Sequence, residues 1–116
     1  MAEVKYTLQY LPTFYTDLEE HVMCISHVLK NVQAANELLN DVENVILDRL
    51  PVAESFEPYH SRKKRENPYY RIYVKNYVIY YVVIPNGRNK KIMEVRRILH
   101  GLLDRDKALL VSEIMR

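Results

Sequence analysis

Around residue 68 the spacing of apolar side chains switches from a helical period to a strand period, which limits the chain to folds that layer helices against a sheet. Before the switch, Leu18, Val22, Ile25 and Leu29 recur at intervals of four, three and four and predict an amphipathic helix from about Thr13 to Asn31. Leu39, Val42, Ile46 and Leu50 continue that spacing and predict a second helix from about Gln33 to Leu50, closed by Pro51. The join at Asn31 and Val32 is short, so the pair reads as an antiparallel hairpin. After the switch, Tyr69 to Val74, Tyr77 to Ile84 and Lys91 to His100 are rich in β-branched and aromatic residues and read as three strands. Lys75-Asn76 and Pro85-Asn86-Gly87 supply the turns between them. One more strand precedes the helices: Val4 to Leu11 alternates, with Val4, Tyr6, Leu8 and Tyr10 on one face, and Pro12 opens the helix that follows.

The predicted order is β-α-α-β-β-β, an α+β fold in which a small antiparallel-rich sheet carries the helical hairpin on one face. Leu102 to Arg116 offers a short closing helix through Leu103, Leu110 and Ile114. At 116 residues, 48% apolar and 28% charged, residues 1–116 read as one ordinary globular domain. A single cysteine, Cys24, excludes an internal disulfide and a Cys-rich zinc site, and its place beside the first apolar stripe reads as a buried, inert thiol. Glu3 and Lys5 interrupt the amino terminus, so no signal peptide is expected. The longest apolar run, Val78 to Ile84, is seven residues, against the ~20 that a membrane helix needs. A cytoplasmic protein without a membrane partner is the expectation.

The formal charge of +2 conceals a strong division. Residues 1–59 carry three cations against ten carboxylates, a net of −7, whereas residues 60–105 carry twelve cations against three carboxylates, a net of +9. Such asymmetry points to a polyanion or an acidic protein meeting the second half, or else to an acidic half that complements the basic half within the fold.

Two glycines exclude phosphate-binding loops and dinucleotide fingerprints, and the four histidines lack metal-ligand spacing, so neither cofactor nor metal is expected. His21 and His27 read as partly exposed helix residues. The basic half is chemically richer. Arg62, Lys63, Lys64 and Arg65 form a solvated loop, and Arg71, Lys75, Arg96 and Arg97 follow, interleaved with Tyr59, Tyr69, Tyr70, Tyr73, Tyr77, Tyr80 and Tyr81. Cations for phosphates and aromatic faces for bases make up a nucleic-acid surface, although strand alternation must place some of these tyrosines in the core. If Tyr73 points inward, Arg71 and Lys75 do too, so the facing of this hairpin stays open. His100 ends the last strand beside Arg96 and Arg97. It suits either general acid–base work on a phosphodiester, with arginine stabilising the developing charge, or a structural hydrogen bond at the strand end.

Four segments carry a family resemblance: TLQYLPTFYTDLEEHV, AANELLNDVENVI, YYRIYVKNYVIYYVV and MEVRRILHGLLD. Together, over about Lys5 to Asp104, they resemble the toxins of the RelE/ParE superfamily, the toxic halves of bacterial type II toxin–antitoxin pairs. The resemblance implies a protein neutralised by a cognate antitoxin, which wraps a helix and an extended segment around it and through which alone the pair reaches operator DNA. RelE-like members cut messenger RNA on the ribosome; ParE-like members poison DNA gyrase without cleavage.

For the first branch the resemblance implies a catalytic set of His100, Arg97 and Arg71, with Tyr59 or His60 as proton donor. Target contacts would come from Arg62, Lys63, Lys64, Arg65 and Lys75 together with Tyr59 and His60. Two slots depart from that branch: Val78 stands where a middle-strand arginine is common, and Leu103 where an arginine follows the last strand. Three readings therefore stand, with ribosome-dependent messenger RNA cleavage first, gyrase poisoning second, and a chemically inactive member working with its antitoxin third.

Overall fold

The computed structural model describes residues 3–58 and 67–101. In chain order these form β1 (Lys5–Tyr10), α1 (Pro12–Met23), a π-helical turn (Cys24–Val28), α2 (Val32–Arg49), a 3₁₀ turn (Leu50–Val52), β2 (Tyr70–Val74), β3 (Tyr77–Pro85) and β4 (Lys90–His100). The strands make one sheet in the order β1-β4-β3-β2. β2, β3 and β4 are antiparallel neighbours, and β1 joins β4 in parallel, so the sheet is mixed. The α+β class follows as expected; the closing helix expected over residues 102–116 lies outside the described residues.

The main core lies between the helices and one face of the sheet. Phe14, Leu38, Val42 and Ile46 meet Ile72, Ile79, Tyr81, Met93, Val95 and Ile98, all buried. Each large apolar side chain removed from water stabilises the fold by about 1.5–3 kcal/mol. Tyr6, Leu8 and Tyr10 of β1 pack on the edge of this core while Lys5, Thr7 and Gln9 face out, matching the predicted alternation. On β2, Tyr70, Ile72 and Val74 point inward and Arg71 and Tyr73 outward, which answers the question of facing left open by the sequence.

Three details differ from the expected helices. The buried stripe of α2 is Ala35, Leu38, Val42 and Ile46, whereas Leu39 is exposed. Adjacent leucines lie about 100° apart around a helix, and only Leu38 aligns with Ala35 and Val42. The first helix ends at Met23 in the π-helical turn, where the Leu29 N–H bonds back to the Cys24 carbonyl at 3.0 Å, five residues away. The wider turn breaks the apolar spacing, so Leu29 is 66% exposed rather than part of the stripe. Cys24, in that turn, is exposed and not buried. Lys30 then takes a left-handed φ of 53°, and Asn31 caps α2 by accepting from the Ala34 N–H at 3.0 Å.

Candidate functional site

Arg71, Tyr80 and Arg97 stand in one row across β2, β3 and β4, because Arg71 is opposite Tyr80 and Tyr80 is opposite Arg97. Paired residues share a face, and this face is the one turned away from the helices, where Tyr69, Tyr80, Val82 and Leu99 form a second buried cluster. Arg71 and Tyr73 are exposed side by side on β2, with the guanidinium carbon 5.7 Å from the ring centroid, and Tyr73 is 65% exposed.

The ladder slips between Tyr80 and Tyr81, whose partners are Arg97 and Val95, so Arg96 is the extra residue of a β-bulge. Its guanidinium donates to Glu94 Oε1 at 2.8 Å and to the Tyr69 hydroxyl at 3.0 Å, while Glu94 Oε2 accepts from Gln9 at 2.8 Å. Burial alone would lower the Arg96 pKa, but the bonds and charges of Tyr69 and Glu94 outweigh it and hold the group above its ordinary value.

Beyond the bulge β4 loses its neighbour, since β1 stops at Tyr10 opposite Val95. Helix α1 takes over that edge with side chains. After the Leu11 N–H donates to the Val95 carbonyl at 2.9 Å, the Thr13 hydroxyl donates to the Arg96 carbonyl at 2.8 Å. Asp17 Oδ2 accepts from the Ile98 N–H at 3.2 Å, and His21 Nε2 donates to the Ile98 carbonyl at 2.8 Å. Residues 13, 17 and 21 are four apart and therefore lie along one face of the helix. The nearly buried Asp17 also receives both Arg97 Nε, at 2.5 Å, and Nη2, at 2.8 Å, in a two-pronged pair. Asp17 thus ties helix α1 to β4 through both a side chain and a backbone group.

His100 goes elsewhere. It is opposite Tyr77, and its ring meets the Tyr77 ring edge-on at 5.2 Å. Ile98 is in the helix-side core and strands alternate, so His100 lies on the helix side of the sheet while Arg97 and Arg71 belong to the other. The structure therefore brings Arg71 and Arg97 to one face and separates His100 from both. The Tyr77 ring also meets that of His21, at a centroid distance of 4.6 Å.

Lys75, at the β2–β3 turn with φ 52°, reaches Asp41 at 3.3 Å and Glu37 at 3.9 Å on α2. With Lys91–Glu54 at 2.6 Å and Arg97–Asp17, it makes three places where a carboxylate of the acidic half meets a cation of the basic half. Part of the charge division is thus satisfied within the fold. Tyr59, His60, Arg62, Lys63, Lys64 and Arg65 lie outside the described residues.

Two clusters went unread in the sequence. Arg49, at the end of α2, donates to the Arg71 carbonyl at 3.2 Å and to the Tyr81 hydroxyl at 3.0 Å, with its guanidinium 3.5 Å from the Phe56 ring centroid. Tyr81 in turn donates to the Ala53 carbonyl at 2.7 Å, and burial pushes its hydroxyl up despite Arg49. Glu54 Oε1 accepts from both Tyr6, at 2.9 Å, and Lys91. Burial, then the bond to Glu54 and its charge, pushes the Tyr6 hydroxyl up to about 12. These partners are far apart in sequence, and no local spacing announces them.

Among the described residues no three His, Cys, Asp or Glu side chains are placed to hold a metal ion, and no helix is long and apolar enough to cross a membrane. No protein-family model matches this chain, and no curated protein matches it.

Proposed function

We propose that this chain is the toxin of a bacterial type II toxin–antitoxin pair, of RelE/ParE topology, acting in the cytoplasm by cutting messenger RNA on the ribosome. The observation that carries the reading is the exposed Arg71–Tyr73 pair on β2, with Arg71 in one row with Tyr80 and Arg97. A cation beside an uncovered aromatic face serves a phosphate and the base next to it, and a strand presents both without rearrangement. The β-α-α-β-β-β order and the helical pair on one face agree with the family resemblance. A cognate antitoxin would cover the hairpin, where Val28, Leu29 and Val32 are each more than half exposed, and only the complex would meet operator DNA.

A second reading, poisoning of DNA gyrase without cleavage, is favoured by one specific observation. His100 and the arginines lie on opposite sides of the sheet, and Arg97 is held by Asp17, so those three groups do not converge on one phosphate.

The test is to mix the purified protein with messenger-programmed ribosomes and map RNA ends by primer extension, with gyrase supercoiling run in parallel. New ends that require the ribosome support the first reading. Intact message together with inhibited supercoiling replaces it with the second.

A further inference from the structure

We infer that His21, on helix α1, is the acid–base partner of His100, and that the two imidazoles packed against Tyr77 form the centre that acts on a ribonucleic phosphodiester. The inference rests on the RNA-cleaving reading above and goes beyond it by moving the proton chemistry to the helix side of the sheet. The His21 and His100 rings each pack against the ring of Tyr77, at centroid spacings of 4.6 and 5.2 Å, and all three side chains are half-buried, so each keeps some contact with solvent.

The anchoring of His21 fixes what its ring can do. A carbonyl oxygen only accepts, so the 2.8 Å contact with Ile98 places the hydrogen on Nε2. The neutral ring then carries its lone pair on Nδ1, which no hydrogen bond engages among the described residues. A histidine oriented at one nitrogen by a backbone carbonyl and open at the other is a positioned base. His100 is held as firmly from its backbone: it pairs with Tyr77, and the next residue, Gly101, donates its N–H to the Asn76 carbonyl at 2.7 Å. Asp17, one turn before His21, is paired with Arg97 of β4, and the phenol of Tyr77 on β3 packs against both the His21 and the His100 rings.

The step balances without a further reactant. One imidazole takes the proton of a ribose 2′-hydroxyl as O2′ bonds to the adjacent phosphorus. The P–O5′ bond breaks, and the other imidazole, protonated, gives its proton to the leaving 5′ oxygen. The products are a 2′,3′-cyclic phosphate and a 5′-hydroxyl end.

The experiment compares wild type, His21→Gln, His21→Ala and His100→Gln in cleavage of ribosome-bound message across about pH 5 to 8. Glutamine keeps an N–H donor for the Ile98 carbonyl but does not titrate. His21→Gln should therefore retain the wild-type Tm and KM, lose about 100-fold in kcat, and lose one limb of the bell-shaped profile. His100→Gln should lose the opposite limb, and His21→Ala should lose Tm as well. If wild type cuts and His21→Gln cuts equally fast with both limbs intact, the inference is overturned and the RNA reading stands. If folded wild type cuts nothing, both fall together. Should His21→Gln fail to fold, an unchanged profile for His100→Gln overturns the inference by itself.

Discussion

Asp17 holds Arg97 through both carboxylate oxygens and with one of them also caps the N–H of Ile98, so a single nearly buried side chain serves a cation and a strand edge at once. Removing it takes the two-pronged pair from Arg97 and the acceptor from the Ile98 N–H. Asp17→Ala should cost about 3 kcal/mol, because it removes a charge-assisted, two-pronged pair and leaves a buried N–H unmet. In urea the midpoint should fall with an unchanged m-value, and adding Arg97→Met should recover part of the loss. Additive destabilisation in the double variant would mean that the two residues act independently.

The choice between neighbouring leucines on α2 is equally direct to test. Leu38 is 1% exposed and Leu39 is 39% exposed. Leu38→Ala should cost about 2–5 kcal/mol through lost burial and a cavity, whereas Leu39→Ala should stay within about 0.5 kcal/mol of wild type. Equal midpoints for the two variants would contradict the observed stripe.

Glu54 ties β1 to β4 by a mechanism that pH can remove. Burial works to raise its pKa, but the bonds from Lys91 and Tyr6 and the Lys91 charge outweigh it and hold the carboxyl below its ordinary 4.5. A carboxyl depressed on folding stabilises the protein above the unfolded value and loses that contribution as pH falls through the folded one. The Tm gap between wild type and Glu54→Gln should accordingly be present at neutral pH and shrink as pH falls below 4.5. Tyr6 gives the opposite sign: raised from 10.0 to about 12, it stabilises below 10.0 and is lost as pH climbs toward 12. Wild type should lose Tm more steeply than Tyr6→Phe in that window.

Arg71 and Tyr73 should separate function from stability. Both side chains are exposed, and Arg49 bonds the Arg71 carbonyl, which alanine keeps. Arg71→Ala and Tyr73→Ala should leave the unfolding free energy within about 0.5 kcal/mol of wild type while relieving growth inhibition on expression. Full toxicity in both variants would remove this face from the proposed RNA contact.

What the sequence made legible was whatever repeats locally. Period-2 alternation located β2, β3 and β4 to within a residue or so at each end, and three-four spacing located α2. Single positions inside a correct element were harder: Leu39 looked as good as Leu38, and Leu29 looked internal until the π-helical turn displaced it. The candidate site was least legible, because its relations are long-range. Arg71 and Arg97 share a face only through the intervening register of Tyr80, and His100 leaves that face by alternation from Ile98. Thr13, Asp17 and His21 did carry a signal, polar residues every four positions on a helix, but its meaning depends on a strand edge some eighty residues away.

The parallel pairing of β1 with β4 sets a clock on the molecule. Gln9 finds Glu94 only 85 residues later, so during synthesis the first strand waits for both helices and the two intervening strands. Until β4 emerges, Tyr6, Leu8 and Tyr10 lack the sheet they pack on, and Asp17 lacks the cation that neutralises it. Contacts of such sequence separation form late and cannot be assembled piecemeal. The β1–β4 pairing therefore cannot form until β4 has emerged, and the four-stranded sheet is completed only with the last of its strands.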